Sequence, residues 1–361
     1  MGSADARSES PSSSPLKTGA SDFIASKLVT DKKTDAEVEL SKNLPWYRAG
    51  GLFVSLNGMG INIFGAIIFL ASHLSSEQKK QFWAFMVFCI LSACITRRTI
   101  YCILIVPCTM ASTVLVGQFD NWPLLLGISV ALAICKVNIC MSVCLHRYAA
   151  HAAFKCGPIT SFLLLVLGCL ANQGGPLWWA SQHRCHHRYC DVPRDPHSQI
   201  IDGKEKAFGF FHEHEAVEEE FVPRYLETIM IRLLDTWSFV FVGLELLVNN
   251  YFFGAAGVFC AHTSAWLCQS VTCWFNVVNH PEEEKGKDCK ASDGKGNVDC
   301  WYLPFYILDG FYHLFGVFVM EGNHKHHHDN AMLAKRSWYD PAYWGFVKPL
   351  EAMGLVWNVQ V

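Results

Sequence analysis

Long apolar segments alternate with polar ones along most of the chain. A helix that crosses a bilayer needs about 20 apolar residues. Six segments reach or approach this length: residues 51–72, 82–96, 99–119, 123–145, 229–248 and 251–275. The stretch 158–171 is too short to span and predicts an interfacial or re-entrant helix. The pattern therefore predicts a polytopic bundle of membrane helices.

The charges between these segments predict their orientation. Arg97 and Arg98 separate the second segment from the third, and basic residues favour the cytosolic side. Four crossings then bring the chain back to the cytosol at residue 146, and two more return it there before residue 280. We expect the apolar stretch 303–320 to lie on the membrane without crossing, because a crossing would leave the histidines at 324–328 on the opposite face.

The composition supports a membrane protein. Hydrophobic residues make up 51% of the chain and charged residues 17%, so a purely soluble protein is not expected. The net charge of −3 gives no basic field, and no nucleic-acid partner is expected. Residues 1–43, rich in Ser, Lys, Asp and Glu, predict a disordered cytosolic arm. Residues 44–122 are expected to form N-terminal transmembrane hairpins, and residues 123–361 a core that holds the functional site.

Histidines are concentrated in three short clusters. Nine of the 16 histidines lie there, whereas the 16 cysteines form no paired C-x-x-C zinc pattern. The first cluster is H-x4-H, and the other two share the pattern H-x-x-H-H, whose positions i, i+3 and i+4 share one face of a helix. The eight histidines of these patterns are His146 and His151, His183, His186 and His187, and His324, His327 and His328.

This number of histidines predicts a metal centre. Imidazole binds iron, copper or zinc, and eight ligands exceed what one ion can hold, so the site should be dinuclear. Zinc normally takes four protein ligands in a structural site and three in a catalytic one. A redox-active pair of iron ions explains the number better.

On these motifs the chain resembles the membrane fatty acid desaturases, specifically the acyl-CoA and cyanobacterial-type delta-9 group. The resemblance runs from about residue 123 to the C-terminus. It includes Gln173-Gly-Gly-Pro-Leu-Trp178-Trp179 and Asp195-Pro-His197, which flank the second cluster. Glu321-Gly-Asn-His324 precedes the third cluster, with Met320 where the family usually has glycine. Asn276-Val-Val-Asn-His280 fits the segment that supplies the family's ninth histidine.

The resemblance implies an all-α fold, a polytopic membrane bundle with a cytosolic helical cap that holds a di-iron centre in a desaturase core at 123–361. It implies the insertion of a cis double bond into a saturated acyl chain, delta-9-like and on acyl-CoA or an acyl-lipid, with two Fe²⁺ ions and O2 as co-substrate. The implied metal ligands are the eight histidines above and His280, with Asn276 acting through water.

The electrons must come from a separate donor, because the chain has no H-P-G-G haem-binding motif. The resemblance implies cytochrome b5 with its reductase, or ferredoxin in a plastid. We therefore expect a multi-pass protein of the endoplasmic reticulum membrane, with a plastid membrane as the alternative. Five basic residues are candidates for docking an acidic donor or the phosphates of coenzyme A, although a positive cytosolic flank would explain them equally: Arg147, Lys155, Arg184, Arg188 and Arg194.

Further residues are candidates for supporting roles. Carboxylates close to the clusters could accept hydrogen bonds from the ligand imidazoles: Asp191, Asp195, Glu321 and Asp329. Gln173, Trp178 and Trp179 are candidates for binding the acyl chain, together with aromatic residues of 301–318. Lys136 and Glu245 lie within predicted spans, where they could serve function or simply pair.

Two other functions remain open from the sequence. A membrane di-iron hydroxylase uses similar histidine clusters and would insert oxygen. A histidine-rich metal transporter should place its ligands at the middle of the membrane, whereas these clusters lie at helix ends and in polar segments.

The 43 residues between His280 and His324 exceed the family's usual connection and bear on substrate specificity. Double-bond position and chain length stay open.

Overall fold

The computed structural model of the protein describes residues 58–95, 101–203, 207, 216–280 and 324–361. The predicted arm at 1–43, the stretch 303–320 and Glu321 lie outside the described residues. The described part is predominantly helical, which confirms the predicted helical class. Its one departure is a two-stranded antiparallel ladder, in which Lys155–Cys156 (β1) pairs with Val356–Trp357 (β2).

A helix overlaps each of the six predicted apolar segments. Before the first histidine cluster they are α1 (Gly58–Ser72), α2 (Ser76–Ile95), α3 (Tyr101–Leu115) and α4 (Trp122–Cys135), which continues directly into a π-helix (Lys136–Ala150). After it they are α5 (Pro158–Cys169), α6 (Pro176–Tyr189), α7 (Gln199–Asp202), α8 (Ile229–Thr236), α9 (Ser238–Asn279), α10 (His324–Asp329) and α11 (Lys348–Ala352). Short 3-10 turns at Glu219–Phe221 and Arg224–Leu226 precede α8, and a π turn at Tyr343–Val347 precedes α11.

Two of the described helices are long and apolar enough to cross a membrane. They are Trp122–Ala150, which joins α4 to the π-helix, and α9. Shorter apolar helices occupy Met59–Ser72, Ile105–Leu115 and Pro158–Cys169. The last of these coincides with the stretch that the sequence predicts to be too short to span.

Helix α9 is broken at Gly254, whose φ of 58° and ψ of −147° are not helical. A positive φ favours glycine because it has no Cβ. The chain turns back sharply here, since the carbonyl oxygen of Asn249 lies only 2.6 Å from where a Cβ on Gly257 would stand. The break lies inside the predicted segment 251–275, a few residues after the predicted boundary with segment 229–248. The predicted segment 229–248 is itself divided, because α8 ends before Trp237 and α9 begins after it.

The packing of these helices brings the predicted clusters together. Helices α1 and α4 both pack along α9, α2 packs on α3, and the π-helix packs against α5 and α6. Lys136 and Glu245, from the π-helix and α9, form a partly buried ion pair with Nζ and Oε1 2.7 Å apart. The C-terminal segment packs beside the end of the π-helix through two backbone hydrogen bonds. The backbone N–H of Gln360 donates to the carbonyl of Ala153, and the backbone N–H of Ala334 donates to the carbonyl of Gln360.

Candidate metal centre

The first histidine pair is carried by the end of the π-helix. The backbone N–H of His151 donates to the carbonyl of His146 at 3.2 Å, and this i to i+5 bond is the defining bond of a π-helix. In a π-helix, residue i+5 lies one turn after residue i on the same face. The H-x4-H spacing therefore places the rings of His146 and His151 on the same face of this helix. His146 and His151 are both buried, with ring centroids 5.1 Å apart.

Helix α6 carries the second cluster and is held at its first turn by a distant carboxylate. Asp235 Oδ1 accepts from the backbone N–H groups of Leu177 and Trp178, both at 2.9 Å. The N-cap residue is Gly175, which has no side chain to do this. Only glycine fits there, because a Cβ on Gly175 would stand 2.1 Å from Asp235 Oδ1. This contact fixes where α6 begins and so where its histidines lie.

Five imidazoles form what we call the first group, with ligand nitrogens all within 4.8 Å of one another. Four Nε2 to Nε2 distances link the rings: 2.9 Å for His146 and His327, 2.9 Å for His327 and His187, 3.1 Å for His187 and His183, and 2.9 Å for His183 and His151. The first group is therefore His146, His151, His183, His187 and His327.

Hydrogen bonds alone cannot satisfy this first group. A ring nitrogen of neutral imidazole either carries a proton and donates or has a lone pair and accepts. The Nε2 atoms of His327, His187 and His183 each face two other Nε2 atoms, so a single N–H proton or a single lone pair would have to serve two partners at once. Five lone pairs directed at a common point are instead the donor set of a metal ion. The residues thus fit a metal at this position.

Four further imidazoles form the second group: His186, His280, His324 and His328. The Nε2 of His324 lies 2.8 Å from that of His280 and 3.1 Å from that of His328. The Nε2 of His186 is buried and has no hydrogen-bond partner among the described residues. A buried, unpaired nitrogen costs free energy unless something binds it, so the second group also fits a metal.

The two groups share their helices in a reciprocal way. Helix α6 gives positions i and i+4 (His183 and His187) to the first group and position i+3 (His186) to the second. Helix α10 gives positions i and i+4 (His324 and His328) to the second group and position i+3 (His327) to the first. The sequence predicts that each H-x-x-H-H converges on one point. The structure divides each between two adjacent groups, where the rings of His187 and His328 stack 4.3 Å apart.

Burial favours the neutral form of six of these rings. It lowers the pKa of the histidines in the polar segments well below the usual range, and the neighbouring imidazoles lower it further: His151, His183, His186, His187, His324 and His327. A neutral imidazole keeps a lone pair for a metal at neutral pH.

Two buried carboxylates set the tautomers of the second group. Asp195 lies 2.9 Å from Nδ1 of His186, and Asp191 lies 2.8 Å from Nδ1 of His280. Each therefore accepts the Nδ1 proton and leaves the Nε2 lone pair free, as metal-binding histidines require. Burial alone would raise the pKa of Asp191, but hydrogen bonds from His280 and Ser198 outweigh it and lower that pKa below its usual range.

Three residues near the centre have no clear signal in the sequence. Arg336 is buried, and its Nη2 lies 3.3 Å from both ring nitrogens of His146. Asp340 accepts from the Arg336 backbone and forms a buried ion pair with Arg147 at 2.8 Å. Cys190 Sγ lies 3.9 Å from Nδ1 of His280 and 3.6 Å from Asp191 Oδ2, beside that pair. Arg147 is therefore an internal residue and is not free to dock a partner, contrary to our expectation.

The other predicted site residues lie in varied surroundings. Asn276 is half-buried and stands one helical turn before His280 on α9, while Asp329 is exposed at the end of α10. Trp178 is buried in the core, and its ring packs on Gly174. A Cβ added at Gly174 would stand only 2.7 Å from a carbon of the Trp178 ring. His197 packs on His186, with ring centroids 4.1 Å apart.

Trp179 and Gln173 lie directly beside the first group. The Trp179 ring stacks on His183 with centroids 4.9 Å apart, and its Nε1 donates to Gln173 Oε1 at 3.0 Å. The Gln173 amide nitrogen donates in turn to Thr272 Oγ1 at 2.9 Å. This chain links the histidine centre to the interior of α9.

Comparison with known proteins identifies relatives. No protein-family model matches the chain. Delta-9 acyl-lipid desaturase 1 of Arabidopsis thaliana is 26% identical over 263 residues, which cover 67% of this chain and 76% of the relative. Similarity of this extent supports membership of the fatty acid desaturase family.

Two other relatives match with different coverage. An acyl-CoA C20 Delta5-desaturase of Anemone leveillei is 26% identical over 242 residues, or 60% of this chain and 67% of the relative. Hex-5-enoyl-[acyl-carrier protein] acetylenase of Moorena producens (strain JHB) is 53% identical over only 58 residues, or 16% of this chain and 18% of the relative. These relatives support a fatty acyl desaturase activity.

Proposed function

We propose that the protein is a di-iron, O2-dependent desaturase that introduces a cis double bond into a saturated fatty acyl chain, delta-9-like on acyl-CoA. One observation carries the proposal: nine buried or half-buried imidazoles form two adjacent groups whose nitrogens cannot all satisfy one another, in a chain similar to fatty acid desaturases. All-nitrogen sites of this kind suit iron, and the number of ligands suits two ions.

The residues of this chain supply binding and orientation. The first and second groups would each hold one iron ion, and Asp191 and Asp195 would hold His280 and His186 in the tautomer that leaves Nε2 free. When bound, an iron pair would supply the oxidising chemistry: O2, two electrons from a donor and two protons from solvent would take up two hydrogens from adjacent methylenes, giving the alkene and two waters. Asn276, a turn before His280, would reach the second ion through water.

The acyl chain would run past Trp179. The hydrogen bonds from Trp179 to Gln173 and from Gln173 to Thr272 hold the indole against His183. A rigid aromatic wall beside the first group would set which pair of methylenes faces the metal centre, since a reacting group must be positioned closely. We place Trp178 behind this wall as a packing residue, because its ring covers Gly174.

We further propose a multi-pass protein with both groups on the cytosolic side, in the endoplasmic reticulum membrane. Residues 44–122 would form transmembrane hairpins ahead of the desaturase core at 123–361. Insertion of a glycosylation acceptor into the turn at 117–121 tests this arrangement, because that turn would face the lumen. Modification at that turn and none in an insertion after Gly157 are expected, and the reverse result would contradict the topology.

Electrons would come from cytochrome b5 and its reductase. Lys155 and Arg188 are exposed and Arg184 is half-buried, so these three remain available to an acidic donor. Arg194 instead pairs with Glu220 at 2.8 Å. Replacing Lys155 and Arg188 with glutamine should raise the KM for cytochrome b5 and leave electron transfer from dithionite unchanged.

Product analysis tests the function directly. The chain is expressed in a desaturase-deficient host, and the double bond is located by mass spectrometry. An alkene is expected from the wild type and none from His186→Ala, which should also lose iron. His326→Ala is the matched control, because His326 lies on α10 but outside both groups, and it should keep iron and product. An oxygenated product without alkene would indicate a hydroxylase, and metal flux without turnover a transporter.

The acyl carrier needs a separate comparison. The names of the relatives specify an acyl-lipid, an acyl-CoA and an acyl-[acyl-carrier protein] substrate. Purified protein with cytochrome b5 should therefore be given stearoyl-CoA, stearoyl-phosphatidylcholine and stearoyl-[acyl-carrier protein] in parallel. We expect turnover with stearoyl-CoA, and turnover of either other substrate alone would contradict that part of the proposal.

A further inference from the structure

His280, the histidine that α9 gives to the second group, lies at the very end of its helix. Its φ of −124° and ψ of 64° are no longer helical. The last carbonyls of a helix have no hydrogen-bond partner within that helix, and helix ends fray. The position of this imidazole must therefore be fixed by contacts from another part of the chain.

A side chain from α7 closes this end of α9. Gln199, the first residue of α7, directs its amide nitrogen at two backbone carbonyls of α9. Its Nε2 donates to the carbonyl of Val277 at 2.6 Å and also to the carbonyl of His280. Carbonyl oxygens can only accept, so the amide must present its nitrogen to them. Gln199 therefore supplies the last turn of α9 with donors that the helix itself lacks.

The residue before Gln199 holds the imidazole of the same histidine. Ser198 Oγ donates to Asp191 Oδ1 at 2.7 Å, and Asp191 Oδ2 accepts from Nδ1 of His280 at 2.8 Å. Ser198 and Asp191 are both buried. Ser198 Oγ also accepts from the backbone N–H of Ile200 at 3.2 Å, which makes it the N-cap of α7. Two adjacent residues thus reach the ring and the backbone of His280 by separate routes.

We propose that Gln199 is a positioning residue for the second group, which holds His280 in place for the metal by closing the end of α9. The proposal rests on the proposed di-iron function. Gln199 contacts the backbone of His280 and acts through its imidazole. Because Nε2 of His280 lies only 2.8 Å from Nε2 of His324, a shift of the end of α9 would change the spacing within the second group directly.

Iron release from the loaded protein tests this inference. Gln199→Met keeps the length of the side chain and removes the donor. Loss of an outer contact to a metal-binding histidine typically weakens metal binding about 10–100-fold, so iron should pass to a ferrous chelator at least about tenfold faster than from the wild type. Gln78→Met is the matched control, because Gln78 Nε2 also donates to a backbone carbonyl, that of Val116 at 2.9 Å, but from α2. Its iron release should equal that of the wild type.

Two further readouts separate positioning from a general loss of stability. In the metal-free protein, Gln199→Met should speed amide hydrogen exchange in the last turn of α9 and leave the rest of α9 unchanged. In the iron-loaded protein, Gln199→Met and Ser198→Ala should move the same half of the Mössbauer intensity and leave the other half at its wild-type position. Both variants act on His280, and His280 belongs to one group only.

Three results would overturn the inference while two irons remain bound. They are iron release from Gln199→Met no faster than from Gln78→Met, unchanged hydrogen exchange at the end of α9, and a Mössbauer change shared equally by both ions. A wild type that holds no iron would instead overturn the proposed function, and this inference with it.

Discussion

Replacing Gly175 with alanine should displace the second histidine cluster without touching any histidine. The added Cβ would stand 2.1 Å from Oδ1 of Asp235 and 2.6 Å from the Asp235 carbonyl oxygen. A side-chain oxygen can move away, but the backbone carbonyl of a buried helical residue cannot do so cheaply. The first turn of α6 must therefore shift away from Asp235, and Leu177 and Trp178 lose the carboxylate that caps their amides.

The size of the effect follows from these two losses. Overpacking a buried contact costs about 1–3 kcal/mol, and loss of a helix N-cap costs about 0.5–2 kcal/mol. The sum is about 1.5–5 kcal/mol, a large part of the stability of a typical domain. We expect the thermal midpoint in detergent to fall by at least about 3 °C. Iron content should fall with it, because His183, His186 and His187 move with α6.

Gly127→Ala is the control for this prediction. A Cβ at Gly127 meets nothing within 4 Å, and alanine is the better helix former by about 1 kcal/mol. Its thermal midpoint and iron content should equal or exceed those of the wild type. If Gly175→Ala keeps wild-type stability and iron, the close contact with Asp235 does not fix the start of α6 and the reasoning fails.

Two further predictions concern buried charge. Lys136→Met or Glu245→Met alone should destabilise the protein by about 3–5 kcal/mol, because each leaves a partly buried charge unpaired. The double variant should recover most of this loss. If thermal unfolding shows that the two losses simply add, the ion pair does not stabilise the fold. The metal-free protein should keep its full free energy of unfolding above pH 6.5. Below that pH the free energy of unfolding should fall by up to about 1.4 kcal/mol per pH unit for each histidine whose pKa is lowered by burial. The reason is that only the unfolded chain then takes up protons at these histidines. Chemical denaturation from pH 5 to 8 measures this, and a flat profile would contradict it.

Short-range spacing predicted the parts of the site that depend on one helix. The i, i+4 relation of His183 and His187 on α6 is local, so the sequence alone indicates that both rings can meet one metal. The segment ending in His280 was found through the family resemblance. The lengths of the apolar segments also predicted the short helix α5 and the division of the chain near Gly254.

Contacts between distant segments could not be predicted in the same way. The cap of α6 comes from Asp235, 58 residues from Leu177, and no local pattern links the two. The place of Arg336 against His146 depends on how the C-terminal segment packs on the π-helix. The division of each H-x-x-H-H between two groups depends on the relative position of α6 and α10, since on either helix alone the three rings share a face.

The reciprocal sharing of α6 and α10 has a consequence for how the metals enter. Each helix contributes to both groups, so the first ion to bind ties the two helices together and prepares the ligands of the second. A helix as short as α10, with six residues, has little stability of its own. Metal loading should therefore be cooperative, and partly loaded protein with a single ion should be a minor species at every iron concentration.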